Sequence, residues 1–318
     1  MKKLFLLLTV FAMSTVVHAQ SAFPNKPITL VVPYPVGGSN DVFARLIAKN
    51  LGEALKVSVV VDNRPGASGT TGTTQVSKSA PDGYTLLAVS SSMTTNVAIQ
   101  TKSSFDPVTG LTAIAMLAKG PFIVAVNNDF PAKNPAELIA LLKANPGKFN
   151  YASSGTGSSN QFATELLKAM SGTFAVHIPY RGMGPATTDL IGGQTQILLA
   201  SGPSLLPQVR NGRIRAIGIT SLNPSPIAPE LIPVSTIIPG YEFELWWGIL
   251  GPAGMPADIV NLLNREINKI LASPEIKATL LREGAEASPE SPAQFTNRLS
   301  GDIARWKSVA KRQNITAE

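Results

Sequence analysis

The stretch Ile28-Thr29-Leu30-Val31-Val32-Pro33-Tyr34-Pro35-Val36-Gly37-Gly38-Ser39-Asn40-Asp41 decides how the rest of the chain is read. Its first five residues are nearly all apolar and partly β-branched, which predicts a short buried strand, and Pro33, Pro35 and Gly37-Gly38 turn the chain out of it. Ser39 or Asn40 can then cap a helix in which Val42, Phe43, Leu46, Ile47 and Leu51 recur at helical spacing, with Gly52 ending the periodicity.

The same unit recurs downstream. Residues 57–61, 84–89, 122–126, 149–153, 175–178, 196–200 and 214–220 read as strands, and 71–79, 136–144, 161–170 and 186–190 as helical segments. Alternation of strand, glycine- or serine-rich loop and helix predicts an α/β architecture with mostly parallel sheets. Residues 223–239 are Pro-rich and unperiodic. Beyond Trp246-Trp247-Gly248-Ile249-Leu250 the chain turns helical, with Ile259, Leu262, Leu263, Ile267 and Ile270 on one stripe of 257–271 and further helices over 274–283 and 292–311.

With 318 residues, 44% of them hydrophobic and 15% charged, the chain can build two packed domains. It has no cysteine, which excludes thiolate catalysis, iron–sulfur clusters and cysteine-ligated zinc. Met1-Lys2-Lys3, the apolar run from Leu4 to Met13 and Val17-His18-Ala19 have the layout of a cleaved secretory leader over residues 1–19. The apolar run is too short for a span, which needs about 20 residues. Cleavage leaves His177 as the only histidine.

The net charge of +7 raises the question of nucleic acid. The basic residues are dispersed, however, and the densest group, Arg210, Arg213 and Arg215, lacks the interleaved aromatics of a single-strand platform, so no nucleic-acid partner is expected. A positive balance on an exported protein instead favours small anions.

The informative loops follow the strands: residues 36–41, 69–72, 90–95, 153–158 and 201–202. In open α/β sheets ligands settle outside the carboxyl ends of strands, where helix N-termini offer free amides and a positive pole. Glycine lets the backbone approach a ligand, and hydroxyls donate without adding charge, a combination suited to a carboxylate. Neither Gly37-Gly38 nor Gly155-Thr156-Gly157 completes a dinucleotide fingerprint, and no loop carries a phosphate-gripping Gly-Lys-Ser/Thr. His177, set among Ala, Val, Ile and Pro, reads first as a structural histidine near a strand end. No partner histidine exists for a metal, and no serine has an obvious base. Neither a cofactor, a metal nor an enzymatic activity is expected.

The ordered segments Val32-Pro33-Tyr34-Pro35-x-Gly37-Gly38-x-x-Asp41, Asn63-Arg64-Pro65-Gly66-Ala67-x-Gly69, Ala80-Pro81-Asp82-Gly83-Tyr84, Tyr151-Ala152-Ser153-Ser154-Gly155-x-Gly157-Ser158, His177-Ile178-Pro179-Tyr180-Arg181-Gly182 and Pro252-Ala253-Gly254-x-Pro256 resemble the periplasmic solute receptors of tripartite tricarboxylate transporters, the TctC-like or Bug family. The resemblance covers nearly all of the chain beyond the leader. It implies a two-domain periplasmic binding protein of the Venus-flytrap, type II-like class, with residues 20–121 and 247–318 in domain 1 and 122–246 in domain 2. The two domains, each with its own core, are expected to close on a small carboxylate.

That ligand would be a dicarboxylate, tricarboxylate, aromatic acid or acidic amino acid, passed to integral-membrane transporter subunits by a monomeric receptor in the periplasm. Carried over residue by residue, the candidate ligand-binding positions are Val36, Gly37, Gly38, Ser39, Asn40 and Asp41 in the first loop and Ser91, Ser92 and Met93 in another. In the second domain they are Ser154, Thr156, Ser158, Ser159, His177, Arg181 and Ser201. Asn160 departs from the family's pattern, which has histidine just after the glycine-serine loop, and residues 222–226 and 233–240 depart from it as well. An exported α/β enzyme acting on small acids or esters and a ligand-dependent sensory partner are the competing readings.

Overall fold

The computed structural model describes residues 23–100 and 104–316; the expected leader lies outside them. Ten strands are described: β1 (Ile28–Val32), β2 (Val59–Asn63), β3 (Thr85–Ser90), β4 (Leu111–Val126), β5 (Asn150–Ser153), β6 (Val176–Pro179), β7 (Ile197–Ser201), β8 (Arg215–Ile219), β9 (Glu244–Pro252) and β10 (Glu286–Ala287). The α-helices are α1 (Ser39–Leu55), α2 (Thr70–Ser77), α3 (Ser92–Ile99), α4 (Pro135–Ala144), α5 (Ser159–Ser171), α6 (Met183–Ile191), α7 (Gly202–Arg210), α8 (Ala257–Ala272), α9 (Pro274–Arg282) and α10 (Pro292–Gln313).

The hydrogen-bonded path runs β2-β1-β3-β9-β4-β7-β5-β6, with β8 and β10 also on β4. β2, β1 and β3 are parallel, as are β6, β5 and β7. Every pairing made by β4 or β9 is antiparallel, so the sheet is mixed rather than mostly parallel. The reason is topological. β4 leaves the first group of strands and β9 returns to it, and a strand laid beside the one it retraces must run the other way. Residues Leu111 to Pro121 of β4 pair with β9, and Phe122 to Val126 pair with β7 and β8. One 16-residue strand thus serves both halves of the molecule.

The long C-terminal helices form where the sequence predicts them. α8 buries Val260, Leu263, Ile267 and Leu271, three or four residues apart, while Ile259, Leu262 and Ile270 flank that stripe half-buried. The expectation of separate cores does not hold. One cluster of buried side chains extends from Leu30, Phe43 and Ile47 through β4 to Tyr151, Phe162 and Leu167, and smaller clusters cover the outer face of each half. α10 helps to join them: Trp306 meets Phe162 edge-on at 5.8 Å and Phe243 at 5.0 Å between ring centroids. Among the described residues no helix is long and apolar enough to cross a membrane.

Candidate functional site

A cavity of about 640 Å³ opens between the halves, with Phe122 of β4 and Leu245 of β9 among its lining residues. Six helices begin at it. Gly38 precedes α1, Gly69 precedes α2, Ser92 opens α3, Ser158 precedes α5, Gly182 precedes α6 and Ser201 precedes α7, and all six residues line the cavity. Only α5 among these is closed by its own cap, the Ser158 hydroxyl accepting from the Gln161 amide. Elsewhere α4, α9 and α10 are capped by Asn134, Ser273 and Ser291. α1, α3, α6 and α7 therefore keep first-turn amides and positive poles available to a ligand, whereas at α2 the Thr70 and Thr71 amides are taken by the Ala67 and Gly66 carbonyls.

In the first loop Val36, Gly38, Ser39 and Asn40 line the cavity, whereas Gly37 and Asp41 do not. Those two are turned toward each other: the Gly37 amide donates to Asp41 Oδ2 at 3.0 Å, and the Arg45 guanidinium lies 2.9 Å from the same carboxylate. Burial pushes the Asp41 carboxyl up, but the hydrogen bonds from Arg45 and Gly37 outweigh it and hold the group below the usual range. Asp41 is thus committed to the helix start. Asn40 donates to Ser90 Oγ at 3.3 Å, and its Oδ1 is buried without a partner among the described residues. Ser39 accepts from the indole N–H of Trp247 at 3.1 Å.

Of the expected Ser91, Ser92 and Met93, only Ser92 reaches the cavity. The Ser91 carbonyl accepts from Thr94 and Thr95, and Met93 is buried in the outer core of the first half. Successive residues at the start of a helix point in different directions, and here the turn of α3 sends Met93 into the core and leaves Ser92 toward the cavity.

Across the cleft, Ser154, Ser158, Arg181 and Ser201 line the cavity, whereas Thr156, Ser159 and His177 do not. Thr156 contributes its carbonyl, which accepts from Ser68 Oγ of the opposite half at 3.2 Å. Ser159 is buried and accepts from Ser92 Oγ at 3.1 Å. His177 stacks on Tyr151 with ring centroids 4.9 Å apart and lies 2.6 Å from Ser153 Oγ and 3.3 Å from Gln161 Nε2. Burial lowers its pKa to about 4, with Glu165 raising it and Lys168 lowering it further, so the ring is neutral at pH 7.

The reading of single residues misses several lining groups. Asn160 lines the cavity and is built in at both ends, accepting from Ser154 Oγ and donating to the Leu199 carbonyl, each at 2.8 Å. Gly66, Ala67, Ser68 and Gly69 also line it, with Ala67 and Ser68 at φ of 46° and 52°. Non-glycine residues rarely adopt that conformation, and residues held in it cluster at ligand clamps. The glycines of this loop were the available signal. Tyr34, Phe122, Met183 and Leu245 add apolar wall, a role that apolar residues in a sequence do not advertise.

Arg181 is exposed at the cavity and has no partner among the described residues. Among the described residues that line the cavity it is the one that is fully charged, and none of them is a carboxylate. Tyr180 also lines the cavity, its hydroxyl donating to Asp189 at 2.7 Å and its pKa pushed up to about 12 by burial and that carboxylate.

The sequence model of the family described as Tripartite tricarboxylate transporter family receptor matches residues 43–315. Among solved structures, a protein of R. palustris with adipate is 33% identical, with a TM-score of 0.89 over 92% of this chain and 99% of that one. The periplasmic binding protein BugD is 29% identical, with a TM-score of 0.87 over 93% of this chain and 100% of that one. MatC from Rhodopseudomonas palustris, with bound malate, is 28% identical, with a TM-score of 0.84 over 90% of this chain and 99% of that one.

Proposed function

Given that the chain belongs to the tripartite tricarboxylate transporter family receptors, a family of binding proteins rather than enzymes, we propose that it captures a small acid of one or two negative charges and apolar body in the cleft between its halves and delivers it to membrane transporter subunits. The observation that carries this reading is the charge of the lining among the described residues: one unpaired guanidinium, no carboxylate, and the available N-termini of α1, α3, α6 and α7. A carboxylate gains from each of these.

Within the family's range of acids, the lining narrows the choice. A tricarboxylate brings more negative charge than one arginine offsets, and an amino acid brings an ammonium group for which no carboxylate waits. Tyr34, Phe122, Met183 and Leu245 instead offer surface to an aliphatic or aromatic body. The adipate and malate in the neighbouring structures are both diacids, and adipate has such an aliphatic body.

The lobe boundaries fit the same reading. β4 exchanges its pairing with β9 for β7 and β8 between Pro121 and Phe122, and all of β9 pairs with β3 or with the first part of β4. We therefore place the second lobe at residues 122–243, with the remainder in the first. The leader-like start of the sequence and the periplasmic binding protein among the similar structures support a receptor working in the periplasm.

Calorimetry with adipate, benzoate, citrate and glutamate tests the reading. Adipate or benzoate is expected to bind at least tenfold more tightly than citrate or glutamate, and Arg181→Met to weaken adipate more than benzoate. Tightest binding of citrate or glutamate overturns the apolar-body class, and no binding by any of the acids overturns the receptor reading.

A further inference from the structure

The loop between β5 and α5 brings Ser154, Gly155 and Ser158 to the cavity, yet its backbone is unusual: Gly155 and Gly157 have φ of 131° and 80°. Glycine adopts such a conformation readily, so what fixes the loop is where its amides are bonded. The amide of Gly155 donates to Ser153 Oγ at 3.1 Å, and the amide of Gly157 donates to Gln161 Oε1 at 2.8 Å. Ser153 and Gln161 are buried, and both hydrogen-bond one further group, the imidazole of His177.

The protonation pattern follows from the partners. Gln161 accepts from Gly157 with Oε1, so it turns its NH₂ toward His177 Nδ1. That nitrogen must then be an acceptor, which places the ring proton on Nε2, where it is donated to Ser153 Oγ. The serine hydroxyl passes its own proton to the Gly155 carbonyl at 3.2 Å. Each donor in this chain has one acceptor, and reversing the tautomer would set Nδ1–H against the glutamine NH₂.

We propose that His177 is a positioning residue: in its Nε2–H form it ties Ser153 to Gln161, and through them fixes the backbone of residues 154–158 that faces the cavity. The histidine touches no ligand itself, so the proposal stands apart from the identity of the bound acid. Protonation undoes the arrangement, because a second ring N–H forces Gln161 to reverse its amide and present NH₂ to the Gly157 amide. Around the ring the titratable groups are Glu165 and Lys168 of α5 and Tyr151 of β5, the last engaged with Glu165 at 2.5 Å. Burial of the ring, aided by Lys168 and opposed by Glu165, keeps the neutral form in place down to about pH 4.

Nuclear magnetic resonance on the ligand-free protein, labelled with ¹⁵N-histidine and ¹⁵N-glycine, tests this without an identified ligand. The long-range histidine correlations at pH 6 are expected to show a neutral Nε2–H ring; an Nδ1–H or doubly protonated ring overturns the proposal. In His177→Phe, which keeps a ring against Tyr151 but removes both nitrogens, the amides of Gly155 and Gly157 are expected to exchange at least tenfold faster while Gly192, on another element, is unchanged. Equal exchange in the two proteins overturns it. Should that variant fail to fold, an acid titration of the wild type decides: the Gly157 amide is expected to shift together with the His177 ring, and a Gly157 signal that ignores the ring's titration overturns the proposal.

Discussion

Gly38 and Gly69 both border the cavity, but they do so under opposite constraints. Gly38 has φ of −79° and ψ of 168°, an extended conformation open to any residue, and an added Cβ would meet only the Pro35 carbonyl at 3.7 Å. Gly69 sits at φ of 97° with the Tyr34 ring 3.0 Å from such a Cβ. Gly38→Val should therefore leave the fold nearly intact, losing about 1 kcal/mol through a poorer helix cap. Its side chain enters the place of an anion at α1, so adipate affinity should fall at least tenfold, with urea denaturation and calorimetry as the two readouts. A loss of affinity matched by a large loss of stability would mean that the residue supports the fold instead. His177 makes a pH prediction at the same scale. Its folded pKa of about 4 lies below the ordinary value of 6.5, so the unfolded chain takes up the proton first as pH falls. The histidine's contribution to stability is thus full above about pH 6.5 and declines toward pH 4. Urea midpoints for the wild type and His177→Phe should differ most at neutral pH and converge as the solution is acidified.

Among the elements, β9 and α10 are joined at a point where the packing leaves no slack. A Cβ on Gly248 would lie 2.3 Å from the Phe295 ring and 3.1 Å from the Ala115 carbonyl, and Phe295 is fully buried. Gly248→Ala is expected to destabilise by about 1–3 kcal/mol, because the ring must leave its rotamer or the strand must move. A thermal midpoint equal to that of the wild type would show that the contact yields freely. The elements also differ in how plainly the sequence displays them. β1 is a short apolar run between prolines, and α8 has an unambiguous stripe, so both are legible. The first eleven residues of β4 are not, because Ala-rich, Gly- and Pro-containing sequence signals no strand while antiparallel neighbours on both sides supply the hydrogen bonds. β9 hides in the same way, since it is buried along nearly its whole length and shows no alternation. α3 reads as a polar loop because it is rich in serine and threonine, of which Thr94 and Thr95 turn their hydroxyls back onto carbonyls of their own turn. Within the site, helix-start loops are visible from glycine and serine content, while the choice of Ser92 over Ser91, or of Asn160 over Ser159, depends on rotation about a helix axis that the local sequence does not display.

For the whole molecule, the continuous core and the α10 bridge require that any closure of the cleft be a hinge motion about β4 and β9 rather than the approach of two independent bodies. Ser68 touches Thr156 across the cleft, so the two rims are already joined by one hydrogen bond in this conformation. Trp247 is tied to the cavity-lining Ser39 through its indole N–H, whereas Trp246 donates to Asp302 at 2.6 Å on the α10 side. Saturating adipate should therefore change tryptophan emission through Trp247 in particular. Trp247→Phe is expected to abolish most of the change and Trp246→Phe to keep it. An emission response untouched by Trp247→Phe would remove this indole from the reporting path.

The placement of β9 also governs how the chain must be built. Trp247 and Ser39, 208 residues apart in sequence, meet in the finished protein, and the edge of β3 has no lasting neighbour until β9 arrives. Synthesis delivers the amino-terminal strands first, so β1 to β3 exist for a time as a sheet with an unpaired border, the kind of border that recruits foreign strands. The loop-closing entropy for that last pairing is spent late and all at once. The same long return that lets two strands act as a hinge thus makes the nascent protein a slow folder, dependent on remaining monomeric and unaggregated until its carboxyl-terminal third is free.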